Sequence, residues 1–343
     1  MNIFKCIVAA LIFSVAMISC TKDNTPEVLV PAGNVNTVEL TSSVYDNQIF
    51  YDLSSNKVVA TNAITAWDLA IQTNGLANTI RLNTGLSMFV YITDLLDINS
   101  AVTMPPTPNW VVDDASGDAT KTALNGWNDN QVFVIGMKDV SNPDPSKQSI
   151  AAKYKLSFLK SGGSVVVKWV DISVDNGSVK TKTLVNTDAA NPVTWFSFAD
   201  NGKAVVQPPS INSYDFDFVP YITLLPAGPG KFINYGVNGV LINYNGGVQA
   251  YKYNSGAIAS EAQATIRFTG LASDSVNAQL FSTAADVVGH DWKYTKFQGS
   301  PDYLIDYTKM YFIQDADMHI YKLRFTYYAG KPSGYVNFEY VLL

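Results

Sequence analysis

Hydrophobic and polar positions alternate with a period of two along most of the chain. In 321–340, YKLRFTYYAGKPSGYVNFEY, the residues Tyr321, Leu323 and Phe325 fall on one side and Lys322, Arg324 and Thr326 on the other. Past a turn holding Gly330, Pro332 and Gly334, Val336, Phe338 and Tyr340 alternate with Asn337 and Glu339. This pattern predicts an antiparallel hairpin with one buried and one solvent-facing side. The stretch 154–172, YKLSFLKSGGSVVVKWVDI, predicts a second hairpin turning at Gly162 and Gly163. No stretch keeps a helical period for long; 260–268 and 284–288 are the short helical candidates. The expected class is all-β, built of antiparallel sheets with few or no long helices.

The chain also repeats itself. IFYDLSSNKVV (49–59) is echoed by TWFSFADNGKAVV (194–206), ITAWDLAI (64–71) by INSYDFDF (211–218), and TIRLNTG (79–85) is matched to KFINYGVNG (231–239). With the two hairpins, four elements recur in one order, which predicts an internal duplication. The expected organisation is two tandem β modules, 36–180 and 181–343, joined around 178–191, with Pro-rich loops at 103–109 and 142–146. Asp68 and Asp215 occupy equivalent places after an aromatic residue, which suggests a repeated structural role such as accepting backbone hydrogen bonds.

The N-terminal end reads differently. Residues 1–19 carry Lys5, a short apolar run and a small residue before Cys20, the layout of a secretory signal peptide whose run is too short to span a bilayer. MISC resembles a bacterial lipobox, so Cys20 is expected to be lipidated and to become the mature N-terminus, with 20–35 as a flexible tether. Cys6 and Cys20 are the only cysteines, which leaves the exported body without disulfides or thiol chemistry. Net charge is −6, from 23 basic and 29 acidic residues, with no basic run, so nucleic acid is an unsuitable partner. There is no nucleophile elbow, phosphate loop or metal-binding histidine spacing, and no enzymatic activity is expected.

These elements, in this order and behind a lipoprotein start, resemble the HmuY-like haem-binding lipoproteins of Bacteroidetes. The resemblance rests on TWFSFADNGKAVV, SYDFDF and 310–343 in the second half, and on AWDLAI followed by TIRLNTG in the first. It covers most of the mature chain, as two divergent tandem copies. It implies an all-β protein, lipid-anchored at the outer membrane and facing outward, that binds haem and passes it to an outer-membrane receptor. Haem iron in such proteins is gripped by two axial side chains, histidines or methionines, and both are good iron ligands. One family ligand position falls here on Phe297, which cannot ligate. The candidates that remain are His290, which Asp291 could orient, His319 in a turn, and Met104 and Met137; Met88 and Met310 read as packing residues. The alternative is a non-haem binding or adhesion module for glycan or protein, in which Trp110, Trp127 and Trp292 would offer flat apolar surface.

Overall fold

The computed structural model of the protein describes residues 33–72, 79–141, 148–174, 177–185, 193–199, 201–204, 208–297, 300 and 302–343. Cys20, the signal segment 1–19 and most of the 20–35 tether lie outside the described residues. The first half forms β1 (Asn36–Leu40), β2 (Asn47–Asp52), β3 (Lys57–Ala63), β4 (Leu69–Gln72), β5 (Ile80–Leu82), β6 (Met88–Ile92), β7 (Val132–Lys138), β8 (Ile150–Ser161), β9 (Ser164–Asp171) and β10 (Lys180–Val185). The second forms β11 (Val193–Phe196), β12 (Phe216–Pro226), β13 (Phe232–Ile242), β14 (Gln249–Asn254), helix α1 (Glu261–Gly270), β15 (Lys293–Thr295), β16 (Tyr303–Ile305), β17 (Lys309–Gln314), β18 (Ile320–Tyr328) and β19 (Val336–Leu342). The pairings are antiparallel, and α1 is the single α-helix among the described residues. Among them, no helix is long and apolar enough to cross a membrane.

Four sheets stack as layers. The outermost has the order β10-β9-β8-β7-β6, the next β11-β4-β5, the third β13-β12-β2-β3, and the fourth β1-β19-β18-β17-β14. The first two enclose a core of Leu69, Ile71, Phe133, Leu156, Trp169 and Phe196, among others. The last two enclose a second, with Tyr51, Phe216, Trp292, Tyr311, Phe325 and Phe338. Each is a β-sandwich whose inward side chains come from alternate strand positions. The two inner sheets meet back to back through Phe50, Trp67, Trp195 and Ala204. The neighbouring strands β2 and β12 are therefore buried on both faces where they pair: β2 has four consecutive buried residues, Gln48, Ile49, Phe50 and Tyr51, and β12 begins with four, Phe216 to Val219.

The strand orders of the two sandwiches correspond, but their membership crosses the expected division at 180. The edge strand β1 pairs with β19, its Val38 opposite Phe338, and β2 pairs with β12. In turn β10 pairs with β9 and β11 with β4, its Trp195 opposite Ala70. Thus β1, β2 and β3 belong to the sandwich built mainly by the second half, β10 and β11 belong to the sandwich built mainly by the first, and 36–180 and 181–343 are not two self-contained bodies. Of the expected connection 178–191, Lys180–Val185 is a strand of the first sandwich.

Side-chain bonds repeat with the strands. Asp68 Oδ2 accepts the backbone N–H of Phe198 and Asp215 Oδ2 that of Leu53, both at 2.7 Å. Burial pushes both carboxyls above their ordinary range, and those backbone donors oppose it. Asn83 Nδ2 donates to the carbonyls of Ile64 and Trp67, and Asn243 Nδ2 to those of Ile211 and Tyr214. The element matching TIRLNTG is consequently the run through Val240, Leu241, Ile242 and Asn243. The expected match to 231–239 is displaced, because β13 is far longer than β5 and its alternation offers several registers.

The helix lies on the outer face of the fourth sheet, with Phe268 and Ala264 against Tyr251, Met310, Phe312 and Val341. This corrects the expectation that Lys322 and Arg324 face solvent: each is 5% exposed. Lys322 Nζ donates to the carbonyls of Phe268, Thr269 and Leu271 at the C-terminal end of α1, and Arg324 pairs with Glu339 at 2.7 Å.

Candidate functional site

Between the two inner sheets runs a cleft of two joined lobes, about 260 Å³ and about 180 Å³. It exists because the outward positions of β4 are Ala70 and Gln72, too small or too flexible to fill the space that the alternation of Leu69 and Ile71 leaves behind. One wall is aromatic. The rings of Trp67 and Trp195 stack at 4.9 Å and 23°, Trp195 is followed by Phe50 at 6.3 Å, and Tyr214 meets Phe50 edge-on at 4.9 Å. All four line the larger lobe.

The polar groups are few and ordered. Trp67 Nε1 donates to Gln48 Oε1 at 3.3 Å, and Gln48 Nε2 donates to Asp217 Oδ2 at 2.6 Å. This relay fixes the indole ring against the carboxyl, and burial pushes that carboxyl up to about 7. Asp113 accepts the backbone N–H groups of Leu82 and Ala123, both at 2.7 Å, and burial holds it at about 6. Arg81, projecting from β5, lines both lobes, donates to the carbonyl of Gly117, and has its guanidinium carbon 5.9 Å from the centre of the Tyr244 ring. Gly117 has φ +79°, and a Cβ there would lie 2.7 Å from the Tyr244 ring. Only glycine lets the loop present its carbonyl to Arg81 with Tyr244 packed behind it.

None of the four expected iron ligands lines this cleft. Met137 is at the end of β7, half-buried against the first core and opposite Met88. Met104 is half-buried in the connection between β6 and β7. His290 is half-buried in the second sandwich with its ring 6.4 Å from Tyr221, which itself lines the smaller lobe. Burial first, then Lys293, holds the His290 ring below its ordinary range. Its neighbour Asp291 does not orient it but pairs with Lys252 at 2.8 Å and Lys309 at 3.4 Å. His319 sits in the turn between β17 and β18, where Asp315 bonds both its ring and its backbone N–H.

Other expected features also resolve into structure. Phe297 is 64% exposed, whereas Trp127 and Trp292 are buried, at 6% and 1%, and are core rather than contact surface. Trp110 lies half-buried over Gly136, whose missing Cβ makes room for the indole. Asp306 accepts from Thr308, and among the described residues no group of three or more His, Cys, Asp or Glu is placed to hold a metal ion. The tryptophans that do line the cleft, Trp67 and Trp195, belong to the repeated AWDLAI and TWFSF motifs. The missed signal was that both motifs place an aromatic on the side opposite to their core-facing residues.

No curated protein matches the chain. Among solved structures, apo PinO from Porphyromonas gingivitis is similar over 90% of this chain and 97% of its own, with 9% identity and a TM-score of 0.28. A Bacteroides fragilis protein described as a lipoprotein is similar over 92% and 94%, with 14% identity and a TM-score of 0.22. A Bacteroides vulgatus protein described as HmuY-like and heme binding is similar over 90% and 91%, with 10% identity and a TM-score of 0.21. The model of the HmuY protein family matches residues 44–340 as one span that takes in both sandwiches and the cleft between them. On that match, which runs from β2 to β19, the chain belongs to the HmuY family.

Proposed function

We propose that this protein is an exported lipoprotein, anchored through Cys20 to the outer membrane and facing outward, that binds haem or a related flat ligand in the cleft for delivery to an outer-membrane receptor. The observation that carries the reading is the aromatic wall of Trp67, Trp195, Phe50 and Tyr214 between the two sandwiches. Ring faces of this kind hold flat apolar ligands by stacking, while a few fixed polar groups orient them. Membership of the HmuY family supports haem as the ligand class.

The cleft does not offer a pair of axial ligands. Among the described residues lining it there is no histidine, methionine or cysteine, and burial holds the Tyr214 phenol protonated. The ligand would be held by its faces and edges, which also suits the second reading, a flat glycan or other iron-free ligand. Titration of the purified mature protein with haemin and with iron-free protoporphyrin IX tests this. The expected result is a shifted Soret band with haemin, tryptophan quenching with both, and loss of both signals in Trp195→Leu. No response to either at micromolar protein overturns the haem reading, and a thermal shift with a glycan panel then supports the second. A haemin signal lost in His290→Ala but kept in Trp195→Leu moves the site to His290.

A further inference from the structure

We infer that the ligand of the cleft carries a carboxylate, and that Arg81 is the residue that holds it. The inference rests on the reading that the cleft binds a flat ligand, and it adds the chemistry of that ligand's edge. The chain has three arginines. Arg324 is committed to Glu339, and Arg267 is exposed on α1. Arg81 is the single Lys, Arg or His among the described residues lining either lobe, and it lines both.

Its guanidinium is positioned without a contact ion pair, although the Asp113 carboxyl in the same lobe feels its charge. The carbonyl of Gly117 takes one of its five N–H donors and the Tyr244 ring supports its face. No carboxylate forms an ion pair with it among the described residues. The acids that line the smaller lobe are engaged elsewhere: Asp113 by two backbone N–H groups, Asp114 by Ser116 N at 3.0 Å, and Asp217 by Gln48. A guanidinium held on one edge, with further donors and a stacking wall beside it, matches a planar carboxylate on an aromatic ring system. Its fork can meet both carboxylate oxygens, which a point-charge cation cannot do.

The test compares acids with their esters. Haemin and haemin dimethyl ester are titrated against the wild type, Arg81→Gln and Arg81→Lys, together with pyrene-1-carboxylate and its methyl ester as iron-free probes. The wild type is expected to bind each acid at least about tenfold more tightly than its ester. Arg81→Gln is expected to abolish that preference while leaving ester affinity unchanged, and Arg81→Lys to restore part of it. Equal binding of acid and ester by the wild type overturns the inference, as does an equal loss of both in Arg81→Gln, which would mark a structural role. If the porphyrins fail but pyrene-1-carboxylate keeps its preference over the ester, the haem reading falls and the carboxylate anchor stands. If no probe binds, both fall.

Discussion

At the scale of single residues, Asp217 shows how the cleft is made at the expense of stability. Burial raises its carboxyl from an ordinary 3.8 to about 7, and one amide donor, Gln48, opposes the shift. The folded state therefore binds a proton that the unfolded chain releases between about pH 4 and pH 7, and stability falls as pH rises through that window. Asparagine at this position accepts the same bond from Gln48 without a charge to desolvate. Asp217→Asn is expected to be more stable than the wild type by roughly 1–3 kcal/mol at pH 8, with the gap closing toward pH 4. Asp113 has the same sign, held at about 6, but is common to both proteins and cancels in the difference. Urea midpoints at pH 4.5 and pH 8 measure it, and a gap that is the same at both, or larger at the acidic end, would contradict the assignment.

At the scale of elements, α1 is where alternation alone misleads. The hairpin 321–340 is legible because Tyr321, Leu323, Phe325, Val336, Phe338 and Tyr340 all enter one core, as their spacing demands. Its other face carries Lys322 and Arg324, and nothing in a period of two records that a helix whose contacts with them lie 51 to 59 residues earlier in the chain folds over them. The helix itself is legible, since Ser260 accepts from Gln263 N at 3.3 Å as an N-cap and the apolar face is narrow. The repeated Asp68 and Asp215 were also legible as acceptors, because an aspartate at a strand start has backbone donors within reach. The cleft was not, because Trp67, just before β4, and Trp195, on β11, are buried between two sheets like core residues, so alternation carries no contrast between core and site. Two substitutions separate the roles around α1. Lys322→Met keeps the apolar stem but strips three carbonyls of their donor, and is expected to cost about 2–4 kcal/mol. Ser260→Ala should cost about 1 kcal/mol. Chemical denaturation reads both, and a Lys322→Met cost no greater than that of Ser260→Ala would mean that the ammonium contributes little beyond its charge.

At the scale of the molecule, crossed strand membership decides which pieces can fold. A fragment covering 64–204 holds every strand of the first two sheets, from β4 through β11, with their shared core from Leu69 to Phe198. A fragment covering 36–180, the division that repetition in the sequence suggests, lacks β11 and all but the first residue of β10. It thereby loses Leu184, Phe196 and Phe198 from that core, while β1, β2 and β3 are left without β19 and β12 to pair with. An unpaired edge on β4 and an open core end cost more than loop closure can recover, because long-range pairing here supplies both the hydrogen bonds and the burial. The 64–204 fragment is expected to unfold cooperatively in urea, at a lower midpoint than the whole protein because the Trp67 and Trp195 wall becomes exposed. The 36–180 fragment is expected to show no cooperative transition by tryptophan fluorescence. The reverse outcome would mean that β1 to β3 can close the first sandwich in place of β10 and β11. The exchange of strands would then be one of two accessible pairings, and the cleft between the inner sheets would depend on which of them the chain adopts.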